Sequence, residues 1–191
     1  MKLIKLEKVR NGKYLKNYEL TYQNKAGKEK KYEIVSRKEL ENAEDLGRQI
    51  SGVSIIAFRQ DKLLLLKEFR MSVNREIYNL CAGMLEDGEA IEDCIRRELY
   101  EETGLLVKRI RKILPPSYSA VGISDIKTYI AIIDADGEFS DHTSENEMIH
   151  AAFYSREEVL QLLKTESFSA RSQIAAYFFA AGSMGAEECS K

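Results

Sequence analysis

The sequence predicts an α+β domain in which helices pack on a sheet. Candidate strands dominate the chain up to about residue 83, and strands alternate with helical patterns after that point. One helical pattern begins near Ala90, contains no Gly or Pro, and stops at Thr103-Gly104. A run of strands followed by mixed strands and helices is typical of a mixed α+β architecture.

The N-terminal part is predicted to form a β-hairpin of its own. Residues 14–22 alternate loosely and are rich in Tyr and Thr, residues 24–27 carry a turn signal, and Lys31 to Val35 returns as a strand. A two-stranded hairpin is only marginally stable by itself. We therefore expect it to pack on the main domain or on a second subunit.

Three strands are predicted between this hairpin and the long helix. Residues 39–49 are polar and indicate an exposed connection. Two apolar runs follow, at 52–58 and 63–69, with a polar turn between them. A short strand at 77–81 then leads toward the helix.

The C-terminal half is predicted to alternate strands and helices. A strand at 106–114 ends at Pro115-Pro116, and a buried strand follows at 127–133. An acidic loop at 134–147 leads to a strand at 148–154. A helix then begins at the capping box Ser155–Glu158 and runs to about Leu163, and an apolar helix at 170–181 stops at Gly182. The expected organisation is an N-terminal β extension (1–48), a main domain (49–183) and a flexible tail (184–191).

Composition excludes several classes of protein. With 44% hydrophobic and 31% charged residues, the chain has the composition of a soluble globular protein, and no apolar run is long enough to span a membrane. The three cysteines (Cys81, Cys94 and Cys189) have no zinc-site spacing, and their odd number argues against a disulfide framework, so we expect a cytoplasmic protein. Residues 1–38 carry twelve Lys and Arg against four Glu, but these charges are scattered, and we expect no nucleic-acid partner.

The long helix has an unusual distribution of carboxylates. Its apolar stripe is formed by Ile91, Cys94, Ile95 and Leu99. At about 100° per residue, Glu98 and Glu102 fall inside this stripe, with Glu101 at its edge and Arg97 just beyond. Carboxylates that face a core are costly unless they are paired or bind a cation, and one arginine cannot neutralise three of them. Oxygen ligands are what a hard divalent metal ion prefers, so the helix predicts a metal site.

The same stretch resembles the signature box of the Nudix hydrolases. It fits the pattern Gly-x5-Glu-x7-Arg-Glu-Leu-x-Glu-Glu-x-Gly-Leu, which is filled by Gly83, Glu89, Arg97, Glu98, Leu99, Glu101, Glu102, Gly104 and Leu105. The resemblance implies an α/β/α sandwich. It also implies cleavage, dependent on Mg²⁺ or Mn²⁺, of a nucleoside diphosphate linked to another group.

Residue roles follow from this resemblance. Glu98 and Glu102 match the metal-binding glutamates of the family, Glu101 matches a residue recruited to a further ion, and the carbonyl of Ala82 matches an additional ligand. Arg97 resembles the arginine that orients these carboxylates, through Glu89. The alternative for Arg97 and Glu89 is a stabilising ion pair with no direct role in the chemistry.

The residues around the box resemble the ADP-ribose and ADP-sugar pyrophosphatase subgroup. Its Gln-aromatic-Arg motif is present as Glu68-Phe69-Arg70, and the resemblance assigns diphosphate binding to Arg70. Two positions depart from the subgroup. The Glu-Leu-Pro-Ala-Gly sequence before the helix is here Asn79 to Gly83, and the Pro expected sixteen residues after the box is Val121. Both departures concern the choice of ADP-ribose rather than the hydrolase assignment.

The N-terminal hairpin carries a further resemblance, to that of the dimeric ADP-sugar pyrophosphatases. Tyr14 and Tyr32 fall where two Trp of that subgroup clamp the adenine across a subunit interface, and Arg37 falls where an Arg contacts the ligand. Tyr stacks on a base with less area than Trp, and packing within the hairpin is the alternative role. If the clamp is present, the protein is a homodimer.

A catalytic base is expected on the acidic loop. The Glu-x-Ile pattern of the subgroup selects Glu147, with Glu145 as the alternative; a solvated loop carboxylate is the other interpretation. The predicted reaction is hydrolysis of ADP-ribose or a related nucleoside diphosphate sugar to a nucleoside monophosphate and a sugar phosphate. The alternatives are another nucleotide substrate (GDP-mannose, NADH or a dinucleoside polyphosphate) and a non-catalytic domain that senses nucleotide sugars.

Overall fold

The computed structural model describes residues 1–140, 142 and 147–184. These residues form ten strands and three α-helices, which confirms the α+β class. They divide into two compact units. The first comprises Met1–Ser51 with Pro116–Thr128, and the second comprises Gly52–Pro115 with Tyr129–Lys191.

The first unit contains a three-stranded antiparallel sheet in the order β1-β2-β3. Its strands are β1 (Lys2–Asn11), β2 (Lys16–Gln23) and β3 (Glu29–Ser36). The hairpin of β2 and β3 is present as predicted, with Asn24 Oδ1 accepting from the backbone N–H of Ala26 and Lys28 in the turn. Strand β1 was missed because most of its residues are exposed and charged, so it lacks the alternation of a half-buried strand.

A small core stabilises this sheet. Tyr18, Leu20, Ile34 and Leu40 are buried together, and Leu3 and Leu6 of β1 pack against them. The hydroxyl of Tyr18 accepts from the backbone N–H of Leu40 at 2.8 Å. The segment predicted as an exposed connection, 39–49, is therefore anchored at its second residue, and it contains a short 3₁₀ turn at Ala43–Asp45.

The second unit is built around the seven-stranded sheet. The strands are β4 (Ile50–Arg59), β5 (Lys62–Arg70), β6 (Arg75–Asn79), β7 (Cys81–Met84), β8 (Leu106–Tyr118), β9 (Lys127–Asp136) and β10 (Ile149–Tyr154), in the order β10-β5-β4-β9-β8, with β6 paired to β5 and β7 paired to β4. The helices are α1 (Ile91–Thr103), α2 (Arg156–Thr165) and α3 (Ala170–Ala180).

Helices cover both faces of this sheet, which makes the expected α/β/α sandwich. On one face, Ile55 and Leu66 of the sheet pack with Leu99 of α1. On the other face, Phe58 packs with Val159 of α2 and Phe179 of α3. Successive strand residues point to opposite faces, so one strand serves both cores. Within the described residues, no helix is long and apolar enough to cross a membrane.

Several boundaries differ from the sequence prediction. The acidic loop begins later than residue 134, because β9 continues to Asp136. Strand β8 was expected to end before Pro115-Pro116 but continues through both prolines to Tyr118. It stands last in the strand order, and a proline costs little on an edge strand because no neighbour needs its missing N–H. The single strand predicted at 77–81 is two strands, β6 and β7, interrupted at Leu80.

The helix ends follow the predicted signals. Gly104 caps α1 in the left-handed region at φ 76°, and its N–H donates to the carbonyl of Tyr100. Ser155 and Glu158 form both hydrogen bonds of the capping box at the start of α2.

Candidate functional site

Helix α1 carries a carboxylate on its buried side. Cys94, Ile95 and Leu99 face the sheet, and Glu98 lies with them at 8% exposure. Its carboxyl group occupies the space beside Gly83 of β7, where an added Cβ would come within 1.6 Å of Glu98 Cδ. The first residue of the box is therefore glycine because any side chain would displace this carboxylate.

Arg97 ties three acidic side chains to one cation. Its guanidinium donates to Glu89 at 2.8 and 2.9 Å, to Glu98 at 2.8 Å and to Glu101 at 3.0 Å. It also donates to the carbonyl oxygen of Met84 at 2.9 Å. These hydrogen bonds lower the pKa of Glu89 to about 2. The expected pair of Arg97 and Glu89 is thus present, and Arg97 orients Glu98 and Glu101 as well.

The carboxylates of Glu98 and Glu102 lie in surroundings that disfavour their charge. Burial raises the pKa of Glu102 to about 8, against the lowering effect of the Cys81 thiol and of the Ala82 N–H, which donates to Oε2 at 3.1 Å. Burial also raises the pKa of Glu98, although Arg97 opposes that shift. Both groups would be stabilised as anions by a bound cation.

A cavity of about 350 Å³ in the second unit brings several predicted site residues together. It is lined by Glu68, Phe69, Arg70, Met71, Ser72, Ala82, Glu102, Glu147, Met148 and Ile149. The diphosphate-binding candidate Arg70, the metal-ligand candidates Ala82 and Glu102, and the base candidate Glu147 thus share one cavity. Glu145 lies outside the described residues.

A neighbouring cavity of about 320 Å³ shares Glu102 and Ile149 with the first. It extends past Thr103 to Phe139 and Ser140. Glu102 therefore borders both cavities.

A larger cavity of about 560 Å³ contains none of the predicted site residues. It lies at the ends of β4 and β9 and the start of β8. Its Arg109 and Arg111 are paired with Asp134, and these arginines lower the pKa of that carboxyl group. Asp134 is therefore held by two arginines in an ion network of its own.

The residues present fit a divalent cation by their chemistry. Among the described residues, no three His, Cys, Asp or Glu side chains converge on one point as they would around a bound ion. The acidic side chains are held instead by protein donors, and Glu101, whose side chain is 52% exposed, pairs with Arg97. The donor set is nevertheless all oxygen, and two of its members are desolvated carboxylates. Glu98, Glu101, Glu102 and the Ala82 carbonyl stay the predicted ligands.

Glu68 is an acidic residue of the cavity that the sequence analysis did not assign. It is 7% exposed, and one of its oxygens accepts from Asn79 Nδ2 at 2.6 Å. The subgroup has Gln and Glu where this chain has Glu68 and Asn79, but the sequence analysis counted only Asn79 as a departure. In the structure Glu68 and Asn79 are hydrogen-bonded to each other, so the acid and the amide have exchanged positions relative to the subgroup. The sequence could have indicated that Glu68 lies beside Arg70, because side chains two residues apart on a strand point to the same face.

The candidates for base binding lie in the first unit. Tyr14 is 68% exposed, with the ammonium of Lys13 at 5.0 Å from its ring centroid. Tyr32 is 41% exposed and donates its hydroxyl to the carbonyl of Gly122 at 2.6 Å. Arg37 lines a cavity of about 30 Å³ together with Arg48. Their assignment to base and ligand binding stays a prediction.

Comparison with known proteins finds a matching family model and similar pyrophosphatases. Residues 48–177 match the family model described as NUDIX domain. The chain is 34% identical over 110 residues to the ADP-ribose pyrophosphatase of Escherichia coli (strain K12), covering 53% of each chain. It is 27% identical over 178 residues to the ADP-ribose pyrophosphatase of Bacillus subtilis (strain 168), covering 91% of this chain and 89% of that protein.

A solved structure shares the fold. The crystal structure of an ADP compounds hydrolase superposes with a TM-score of 0.74 at 18% identity, covering 94% of this chain and 91% of that chain. At this identity the similarity concerns the fold alone. The chain spans about half the length of the Escherichia coli relatives it matches.

Proposed function

The chain belongs to the Nudix family, and we propose that it is a metal-dependent pyrophosphatase of ADP-ribose or a related nucleoside diphosphate sugar. The products would be a nucleoside monophosphate and a sugar phosphate. The observation that carries this proposal is the cavity that Arg70, Ala82, Glu102 and Glu147 line together, beside the buried carboxylate of Glu98. The names of the relatives, which are ADP-ribose and ADP-sugar pyrophosphatases, favour this substrate class.

Nudix hydrolases generally use divalent metals, and we propose Mg²⁺, with Mn²⁺ as a substitute. Glu98, Glu101, Glu102 and the Ala82 carbonyl would hold the cation. When bound, it supplies positive charge that neutralises phosphoryl oxygens and makes water more acidic. The box residue Arg97 orients Glu98 and Glu101 and therefore has a positioning role.

The remaining steps use side chains of the cavity. The guanidinium of Arg70 binds the diphosphate through charge-assisted hydrogen bonds. Glu147 accepts the proton of the attacking water, whose oxygen forms the new bond to phosphorus while the bond from phosphorus to the bridging oxygen breaks. Glu145 is the alternative base.

We also propose a base-binding role and a dimer for the N-terminal extension. Tyr14 and Tyr32 would stack on the base, and Arg37 would contact the ligand. Large exposed side chains of this unit, among them Ile4 at 46% and Val9 at 59%, favour a homodimer with a second copy. Free, buried Cys81 and Cys94 favour a reducing, cytoplasmic setting.

The test is a phosphate-release screen over nucleoside diphosphate sugars, first with Mg²⁺ and then with Mn²⁺. A phosphatase in the assay releases phosphate from the two monoester products but not from the intact diphosphate. Glu98→Gln and Glu102→Gln should each lower turnover by about 100-fold or more, because a metal ligand is lost. Near-normal rates in both variants would refute the ligand assignment. Binding of ADP-ribose without cleavage in the presence of Mg²⁺ would favour a sensor.

A further inference from the structure

A chain of hydrogen bonds connects the start of α3 to the proposed diphosphate-binding arginine. Ser169, the N-cap residue of α3, donates its hydroxyl to Asn79 Oδ1 at 2.7 Å. Asn79 Nδ2 donates to Glu68 Oε1 at 2.6 Å. Glu68 Oε2 in turn pairs with Arg70 Nη1 at 3.4 Å. All four residues belong to the second unit.

The orientation of the Asn79 amide is determined by its neighbours. Its Oδ1 accepts from the backbone N–H of Leu80 at 3.0 Å, and a backbone N–H can only donate. The same oxygen accepts from Ser169, whose own N–H is bonded to the carbonyl of Tyr78 at 3.1 Å. The NH₂ group is therefore the end that faces Glu68, and the amide cannot reverse without losing these bonds.

Glu68 is held on the cavity side of the sheet. It pairs with Ile77 across β5 and β6, so Asn79 is its diagonal neighbour on the same face. A carboxylate with 7% exposure requires partners for both oxygens, because an unpaired buried charge is costly. Asn79 satisfies one oxygen, and the other is left for Arg70, which is two residues along β5 and lines the same cavity.

We propose that Glu68 is a positioning residue that, clamped by Asn79, fixes the guanidinium of Arg70 for binding the diphosphate. This inference rests on the proposed function, since that function assigns the diphosphate to Arg70. The pair of residues 68 and 79 works as one acid and one amide. Two acids would place two carboxylates at hydrogen-bonding distance, and two amides would turn a donor toward Arg70.

Three variants test this polarity. In Glu68→Gln, the amide oxygen accepts from Asn79 and the NH₂ group faces Arg70, so two donors meet. In Asn79→Asp, the new carboxylate faces that of Glu68. In the double variant, the introduced amide at position 68 donates to the introduced carboxylate at position 79 and presents its oxygen to Arg70, so that each group again has a complementary partner.

The readout is KM and kcat for the nucleoside diphosphate sugar that the wild type cleaves best. Glu68→Gln and Asn79→Asp should each raise KM by about tenfold or more with a small change in kcat, because a charge-assisted hydrogen bond to a binding residue is lost. The double variant should return KM to within about threefold of the wild type. In an Arg70→Ala background, Glu68→Gln should change KM by less than about twofold.

Controls separate this role from a structural one. Glu76→Gln makes the same change on the adjacent strand, where the carboxylate is 40% exposed and lies 3.7 Å from Lys67, and it should leave KM unchanged. The inference is overturned if the single variants lower the melting temperature without raising KM. It is also overturned if the double variant binds no better than the weaker single variant, or if the effects of Arg70→Ala and Glu68→Gln simply add.

The same variants distinguish this inference from the proposed function. A wild type that cleaves no nucleoside diphosphate sugar contradicts the proposed function. The affinity for ADP, measured by calorimetry, then replaces KM, and the same order of wild type, double variant and single variants is expected. Equal affinities for ADP in all four proteins would overturn the positioning role.

Discussion

Replacing Glu102 by Gln should stabilise the metal-free protein at alkaline pH. The carboxyl group ionises near pH 4.5 in an unfolded chain, and burial raises its pKa to about 8 in the folded protein. Between these two pH values the folded state binds more protons than the unfolded state. The free energy of unfolding therefore decreases as pH rises through this window and becomes level above it. Gln is neutral throughout and escapes this penalty.

The magnitude follows from the difference between the two pKa values. At about 1.4 kcal/mol per tenfold change in proton affinity, the upper limit is about 5 kcal/mol. The side chain keeps some contact with solvent, and Gln retains the acceptor for the Ala82 N–H, so we expect a gain of about 2–3 kcal/mol at pH 8. In a protein of this size, that corresponds to an increase of about 4–12 °C in the melting temperature.

The assay is thermal unfolding of the wild type and the variant in EDTA, at about pH 5 and about pH 8. The variant should be more stable at the higher pH, and the difference should shrink at the lower pH. Millimolar Mg²⁺ should stabilise the wild type more than the variant, because the cation compensates the ionised carboxylate. Glu101→Gln is the matched control, since that side chain is 52% exposed and its replacement removes no buried carboxylate, so no gain in stability is expected. A variant that is less stable at pH 8, or a difference that is equal at both pH values, would refute the reasoning.

Three further predictions follow from named contacts. Arg97→Ala should lower the free energy of unfolding by about 2–4 kcal/mol in urea titrations, because it leaves Glu98 buried without its cation. Arg97→Lys should recover less than half of that loss, and equal stability of the wild type and both variants would contradict this prediction. Gly83→Ala should lower turnover by about 100-fold with an unchanged circular dichroism spectrum, since its Cβ would displace the Glu98 carboxylate. The control is Gly122→Ala, which should retain full activity because no atom lies within 4 Å of an added Cβ. Ser155→Ala should cost about 1 kcal/mol through loss of the capping box and leave turnover unchanged, and a variant as stable as the wild type would mean that this cap contributes nothing.

Much of the second unit could be predicted from local patterns. The apolar runs of β4 and β5, the stop at Gly104 and the capping box at Ser155 are local signals, because strand burial and helix ends depend on residues a few positions apart. Strand β1 and the continuation of β8 through two prolines could not be predicted this way. The first has little buried surface of its own, and the second depends on standing at the edge of the sheet.

In the candidate site, too, the contacts within one segment could be predicted from the sequence. The fixed spacing of Glu98, Glu101 and Glu102 placed them on neighbouring positions of one helix, since residues three and four apart are adjacent on a helix surface. Within the described residues their side chains do not converge on one point, so their role as metal ligands stays a prediction. Arg97 and Glu89 were also paired correctly, and the structure adds Glu98 and Glu101 to the acceptors of Arg97.

The sequence by itself determined the family, the α+β class and the acidic face of α1, because each of these depends on the spacing of residues along one segment. Only the tertiary structure decided that Glu68 and Asn79 form one acid–amide pair, that Gly83 must lack a side chain, and that Arg70 and Glu147 share a cavity with Glu102. These contacts join residues from different elements. Their distances are set by how the strands and α1 pack, which no local pattern in the chain encodes.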